Sequence, residues 1–512
     1  MEPTKEFTSG FVFVLVGPFP LPLIGNMHQL GYKIFIKKSN FVDAIREWAE
    51  EYGTVHTFWF GPLATVNICD YTTAVDAMVK KGSAFASRTI PYLFALRRNG
   101  RGIMGTSGAP WIEQRRFALH TFRNFGLGRN IIEERIMYEF EIACERLDKH
   151  LQEDMKSIDA HKTFELLVGN VINRMLFTER FEKVVRRSGL PISTYLNITH
   201  YLQEEEETFF SLKKRLDDMM DTFSPFELLI DDWNVNWPLF KQRADHILKP
   251  VDSLLEFIRN QILRRKSEIL NGSHILQGEG NDYVDAFLIR MKSNEQHGGE
   301  TSFDEEMLLM SLLDLWIAGQ ESTSTTLDWA FSFLLLNPEV LTRVEDELLS
   351  ITEGRRLLSL ADKPNTPYYN ATLTEIHRCA LLVPMNLWRN TSEDTVVGSY
   401  LIPKGTTITA QISVIMTDEK YFKNRYEFNP DRYQNEDRLE QMVVPFGLGK
   451  RSCLGESLAQ AELYLVIANI LLRYKITTDC LHMPSARARK EIGTVRKPQA
   501  YRIQFERRSL IN

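Results

Sequence analysis

Residues 446–455 read Phe-Gly-Leu-Gly-Lys-Arg-Ser-Cys-Leu-Gly and fit the pattern F-x-x-G-x-R-x-C-x-G at all five fixed positions. At average residue frequencies, a chance match somewhere in 512 residues has a probability of roughly one in ten thousand. Gly447 and Gly449 permit a tight turn and a close approach of backbone to a flat ligand. Cys453 falls where helical periodicity begins. The free N–H groups and partial positive charge of a helix start favour a thiolate there. A lone buried cysteine is ordinarily inert packing; the glycines, Arg451 and the helix start turn the reading toward a metal-ligating sulfur.

The rest of the chain sets bounds on what that loop belongs to. Hydrophobic residues make up 44% and charged residues 25%, which excludes disordered, collagenous and multi-span membrane classes. A formal charge of −6 gives no bulk positive field, so nucleic acid is not an expected partner. Five cysteines without C-x-x-C spacing form neither a disulfide framework nor a zinc site, and fit a reducing compartment. The apolar run Phe11–Val16 is followed by Pro18, Pro20 and Pro22. It is too short for a membrane span and stops at helix breakers. Residues 1–24 are therefore expected to be an apolar leader and proline hinge without a full transmembrane helix, and 25–512 one domain.

Helical patterns dominate. They are expected over 41–51, 111–123, 131–151, 162–177, 198–221 and 244–270, with two strands around Gly61-Pro62 and a long loop over 90–109. Residues 303–336 form the longest helical pattern, bounded by Asn337-Pro338. Thirty residues of helix span about 45 Å and could cross a whole domain. At its centre stands Ala318-Gly319-Gln320-Glu321-Ser322-Thr323, a glycine costing about 1 kcal/mol relative to alanine, then an acid and hydroxyls. The alternation over 396–414 predicts strands and tight turns, and a last helix is expected from near Cys453 to about Arg473.

Further motifs surround the cysteine loop. Trp111 and Arg115 form W-x-x-x-R, Glu375 and Arg378 form E-x-x-R, and Arg432 lies in F-N-P-D-R-Y. Together with F-A-S-R-T-I-P (85–91) and G-T-S-G-A-P-W-I-E-Q-R-R-F-A-L (105–119), they make the chain resemble the cytochrome P-450 family from about Gly25 to Arg502. The resemblance is to its animal microsomal (class II) type, with nematode-like features in A-G-Q-E at 318–321. It implies a mainly α fold with small β-sheets, a single large domain holding heme b between the central long helix and the cysteine loop. Cys453 would be the axial ligand of the heme iron. Phe446 and Gly455 would complete the ligand loop, and Trp111, Arg115, Arg389 and Arg451 would contact the propionates. Glu375, Arg378 and Arg432 would form a structural ion-pair trio. The family's acid–alcohol relay falls on Glu321, Ser322 and Thr323, with serine in place of the usual threonine.

The implied activity is that of a heme-thiolate monooxygenase, an oxidoreductase acting on paired donors with reduced flavoprotein as one of them. It would insert one atom of dioxygen into a small lipophilic substrate: a xenobiotic, fatty acid or steroid. No flavin or nicotinamide fingerprint is visible. NADPH-derived electrons would come from a separate NADPH–cytochrome P-450 reductase, with cytochrome b5 as a second donor. Arg116, Arg123, Arg129, Lys423 and Lys450 are candidates for a basic docking face. The pocket would draw on 91–104, Phe209, Phe210, 316–323, 383–387 and 492–495, and Arg97, Arg98 or Arg101 could seat a carboxylate. The expected location is the cytosolic face of the endoplasmic reticulum membrane, peripherally or weakly anchored. Two alternatives are a heme-thiolate isomerase or peroxide-using enzyme, and a non-enzymatic heme binder.

Overall fold

In a computed structural model, the chain is described over residues 16–125, 130–181, 207, 209–223, 225–297, 301–384, 386–434, 438–490 and 494–509. Phe11 to Leu15 of the apolar run, Arg129, Ile492 and the first part of the helix expected from 198 lie outside the described residues.

The Asn40 side chain caps α1 (Phe41–Tyr52) by accepting from the Asp43 amide, and Gly53 ends it at φ +100°. Gly61 then turns β1 (Val55–Phe60) into β2 (Leu63–Ile68). The segment read as a long loop carries one short helical turn, Tyr92–Ala95. The main helices that follow are α2 (Gly108–Asn124), α3 (Asn130–Gln152), α4 (Ala160–Phe177), α5 (209–222), α6 (Pro238–Leu270) and α7 (Tyr283–His297). The chain continues through α8 (Glu305–Leu336), α9 (Pro338–Thr352), α10 (Pro367–Ala380) and α11 (Glu456–Arg473). Helix α6 begins six residues before the periodicity predicts. Its first residue is Pro238, whose missing N–H costs nothing at that position. Residues 412–414, the end of the stretch expected as strands and tight turns, lie in a helical turn (Ile412–Ile415) after the last strand of the sheet.

Helix α8 is the long element the sequence predicts. Asp304 caps it, accepting from the Met307 amide at 2.7 Å. Its apolar residues are distributed all round, which suits burial on every side, and most of its residues are buried. Gly319 has a packing explanation. A Cβ there would lie 2.5 Å from Ile172 Cδ1, so the glycine lets α4 lie directly against α8.

The strands make small sheets beside this helical core. One has the order β1-β2-β8-β5-β3, with β3 at Ser87–Arg88, β5 at Arg389–Asn390 and β8 at Thr407–Ala410. Only the β2–β8 pairing is parallel. A second sheet joins β4 (Ser157–Ile158), β10 (Ile503–Arg507) and β9 (Tyr474–Thr478); a hairpin pairs β6 (Thr395–Val397) with β7 (Tyr400–Ile402). The architecture is a mainly helical single domain with small sheets. The largest core centres on α4, α8 and α11, and two smaller apolar clusters lie on the sheet side.

Candidate functional site

The cysteine loop is a tight hairpin. The Cys453 amide donates to Phe446 O at 2.8 Å, and the Ser452 amide to Gly449 O at 2.9 Å. Gly447 and Gly449 sit at φ +81° and +70°. A Cβ on Gly449 would fall 1.7 Å from Met78 O, so the loop's backbone rides on the backbone of 76–80. Helix α11 starts three residues beyond Cys453, with Gly455 as its N-cap. Burial pushes the Cys453 thiol above its ordinary value, while the amides of Gly455 and Glu456 and the charge of Arg115 pull it down. The helix start alone does not ionise this sulfur; a cation bound to it would. Cys453 retains exposed surface, and Phe446 meets the His377 ring edge-on at 5.2 Å.

Arginines converge around this loop. Arg451 stacks over the Trp111 ring at 3.8 Å. It donates to Ala86 O at 2.6 Å and Thr106 O at 2.5 Å, fastening the loop to 86–106. Arg115, one turn after Trp111, donates to Ser452 O at 2.8 Å. Arg389 donates to Leu448 O at 2.6 Å, and its Nη1 is buried without a partner. Arg88 stands directly opposite Arg389 in the β3–β5 register, an unfavourable like-charge pairing. Burial first, and then repulsion among the four, lowers Arg88 to about 10, Arg389 to about 9 and Arg451 to about 8; Arg115 is lowered by burial. Among the described residues no carboxylate pairs with any of them. A buried cationic cluster lacking its own counter-charge, beside a cysteine that needs a cation, fits a flat dianionic metal cofactor such as heme. Sequence reasoning assigned Arg88 no role, although it stands in the quoted F-A-S-R-T-I-P.

The structure points the relay candidates in three directions. Successive helical residues are about 100° apart, so Glu321, Ser322 and Thr323 cannot share a face. Leu315, Ala318 and Ser322, spaced i, i+3, i+7, keep partly open surface on the largely buried α8, as do Ile317 and Gly319 between them. Val383 and Leu387, ahead of β5, are exposed as well. Ser322 Oγ donates back to Ala318 O at 2.8 Å. Glu321 is buried, with Lys213 Nζ on one oxygen at 2.5 Å and Lys497 Nζ on the other at 2.6 Å. These two lysines hold its carboxyl far below its ordinary value against the cost of burial.

Thr323 faces the other way, toward Glu462 of α11. Glu462 is fully buried, and neither carboxyl oxygen has a well-formed hydrogen bond among the described residues. Burial pushes it up to about 8; proximity of the Thr323 hydroxyl only tempers this. An acid raised on folding costs nothing below its ordinary value of about 4.5, where it is neutral in both states. The cost grows as pH rises toward 8 and is constant above. Glu462→Gln is therefore expected to stabilise the protein by about 3 kcal/mol at pH 7. In denaturant titrations the gain should vanish near pH 4.5; a gain that does not vary with pH would rule this out.

The trio Glu375, Arg378 and Arg432 is assembled on α10 and the turn after Asn429. Arg378 grips Glu375 with Nε at 2.7 Å and Nη2 at 2.8 Å, and Arg432 Nε adds a contact at 3.0 Å. Two further ligands of the same carboxylate were not foreseen: Tyr433 Oη at 2.7 Å and the Asn429 amide at 3.0 Å. Arg97, Arg98 and Arg101 are each taken by a carboxylate of the chain, respectively Asp252 at 2.7 Å, Asp314, and Asp304 at 2.8 Å. Only the Arg98–Asp314 pair is buried; Arg97 and Arg101 stay partly exposed in theirs.

The family model described as Cytochrome P450 matches residues 16–505. A relative from Caenorhabditis elegans, "Probable cytochrome P450 cyp-35D1", is 37% identical over 474 residues, covering 90% of this chain and 88% of its own length. Human "Cytochrome P450 2C8" is 30% identical over 96% of this chain and 93% of its own. Mouse "Cytochrome P450 2B19" is 28% identical over 97% of each.

Proposed function

This chain belongs to the cytochrome P450 family, whose members are oxidoreductases that use heme and take electrons from a partner, and from that premise we propose that it is a heme-thiolate monooxygenase of uncharged lipophilic substrates. The observation that carries the reading is the convergence of Arg88, Arg115, Arg389 and Arg451 on the loop of Cys453. Cys453 would ligate the iron, and the arginines with Trp111 would hold the propionates. Bound there, heme supplies dioxygen activation and transfer of one oxygen atom. The chain's own part is then to ligate, to exclude water and to move protons. Ser322, on the open face of α8, is the hydroxyl placed to pass a proton, and Ala318 leaves room beside it.

Substrate class follows from the open face and its surroundings. Leu315, Ala318, Val383 and Leu387 offer apolar surface, and the nearby loop arginines are neutralised by Asp252, Asp314 and Asp304. Both favour uncharged molecules, xenobiotic or steroid-like, over fatty acids. Arg116, Arg123, Lys423 and Lys450 are solvent-exposed and suit docking of an acidic, NADPH-dependent flavoprotein reductase, with cytochrome b5 as a second donor.

The same reading places the protein on the cytosolic face of the endoplasmic reticulum. No helix among the described residues is long and apolar enough to cross a membrane. Phe19, Leu23, Phe35, Ile36, Trp233, Trp237 and Leu239 are exposed. Leu229 approaches Gly61 and Leu23 approaches it too, which brings the proline hinge and the segment before α6 together. Asn26 stitches that hinge to β1, donating to Pro18 O at 3.0 Å and accepting from the Trp59 amide at 2.7 Å. An apolar patch so held supports peripheral membrane contact. One reconstitution tests the reading. Holoprotein mixed with phospholipid vesicles and a flavoprotein reductase should sediment with the vesicles and form hydroxylated product in step with NADPH consumed. Product formed from peroxide alone, with NADPH untouched, would favour a peroxide-using enzyme instead.

A further inference from the structure

His161 and Glu165 stand four residues apart at the start of α4, a spacing that puts two side chains side by side on one helix face. His161 Nε2 lies 3.0 Å from Glu165 Oε1, and the other ring nitrogen, Nδ1, pairs with Asp328 of α8. Asp217 comes from a second helix, α5. One ligand atom from each of His161, Glu165 and Asp217 lies within 4.8 Å of the other two. Zinc bonds of about 2.0–2.2 Å place tetrahedral ligand atoms roughly 3.3 Å apart, so a small closing movement completes the set. His161 keeps 40% of its side chain exposed, which leaves a way in from solvent.

The surroundings are short of positive charge. Glu165, Asp217, Glu321 and Asp328 face Lys213, Lys497 and the His161 ring. Against the cost of burial, Asp328 and then Glu165 favour the protonated ring. Even so, four carboxylates meet three cations, and one negative charge is left over where unpaired charge is costly. Hydrogen bonding does not make up the difference. Glu165 Oε1, on a side chain 6% exposed, has His161 Nε2 at 3.0 Å and Lys213 Nζ at 3.1 Å, yet makes a well-aligned hydrogen bond with neither. Asp328 Oδ1 is likewise buried without a partner. A misaligned donor serves such an oxygen poorly, whereas a metal ion has no donor direction to satisfy. A divalent ion taking the place of one imidazole proton brings the charge count to zero.

We propose that His161, Glu165 and Asp217 form a zinc site, separate from the cysteine loop, that ties α4 to α5. Asp328 acts from behind the ring: accepting from Nδ1, it turns Nε2 toward the metal, as a carboxylate commonly orients a ligating histidine. A water completes the four-coordinate shell. The imidazole selects zinc over magnesium and calcium, which prefer oxygen ligands. Lys213 contacts Asp217 and Glu321 at 2.5 Å each, so it keeps Glu321 when the metal takes Asp217. Nothing at this site depends on bound heme.

Two measurements on the holoprotein test it. Equilibrium dialysis against buffered zinc, with zinc and iron counted separately by elemental analysis, gives occupancy and affinity. Hydrogen exchange with and without zinc shows where the ion sits. The parent should retain one zinc per chain, undiminished by a hundredfold excess of magnesium, and its α4 and α5 amides should exchange about tenfold slower with zinc bound. Asp328→Asn should weaken binding by about tenfold or more; His161→Gln, which deletes a ligand, should weaken it further and abolish the slowing. Should a buried substitution fail to fold, His161→Gln and Asp217→Ala lie at partly exposed positions and decide alone. A parent that retains no zinc overturns the proposal, as does displacement by magnesium. Parental affinity in folded His161→Gln or Asp217→Ala also overturns it, by showing that the zinc sits elsewhere on the surface.

Discussion

Cys453→Ala is expected to lose the thiolate-type Soret band of the reduced, carbon-monoxide-treated protein, and with it at least about a thousandfold of oxygenation rate, some 4 kcal/mol of barrier. A thiolate pushes electron density through the iron and favours O–O cleavage, and no other group in the loop supplies such a push. Burial raises this thiol, so the anion persists only where a metal binds it. The variant should still fold. The hairpin is closed by the backbone bond from residue 453 to Phe446 O, by Gly449 against Met78, and by Arg115 and Arg451 on backbone carbonyls, and none of these uses the sulfur. Parental turnover in purified Cys453→Ala would end the thiolate account.

Arg378→Met is expected to destabilise the chain by about 3–5 kcal/mol, the usual cost of leaving one partner of a buried pair behind. Arg378 and Glu375 are both fully buried. Besides Glu375, the guanidinium serves Arg425 O at 2.6 Å and Glu427 O at 3.0 Å, so its loss takes the two-pronged partner from a buried carboxylate and a donor from each of two carbonyls. Burial alone would raise Glu375, yet Arg378 and then Arg432 hold it below the ordinary carboxylate range. The stability this pairing lends is complete above that ordinary range and is lost as pH falls through the lowered value. Calorimetry should therefore find the gap between parent and variant narrowing in strong acid. A variant as stable as the parent at neutral pH would show the trio to be dispensable.

Much of this was legible in the chain. The first helix ends at Gly53, as its sequence predicts, because that signal acts within a turn of itself; the caps Asn40 and Asp304 went unread. The start of α6 was missed because Pro238 reads as a breaker in isolation and as a first residue only in context. The ligand loop was plain, since five residue identities lie within ten positions. The arginine cluster was half-visible. Arg88 and Arg389 are 301 positions apart, and only the β3–β5 register brings them face to face. The contiguous string Glu321-Ser322-Thr323 suggested one group acting together; a helix turns each to a different neighbour, and Lys213 and Lys497 come from segments that no local spacing connects to it. Glu462 carries no local signal of its burial, because burial is a property of the packed domain.

The seat of the cysteine loop also has a consequence for how the protein is made. Gly449 rests on Met78, and Arg451 on Ala86, Thr106 and Trp111, more than three hundred residues earlier in synthesis. A ribosome delivers the early partners first, and they must wait, with their arginines unmatched, until the cysteine loop has emerged. A chain stalled before the cysteine loop cannot assemble the metal seat.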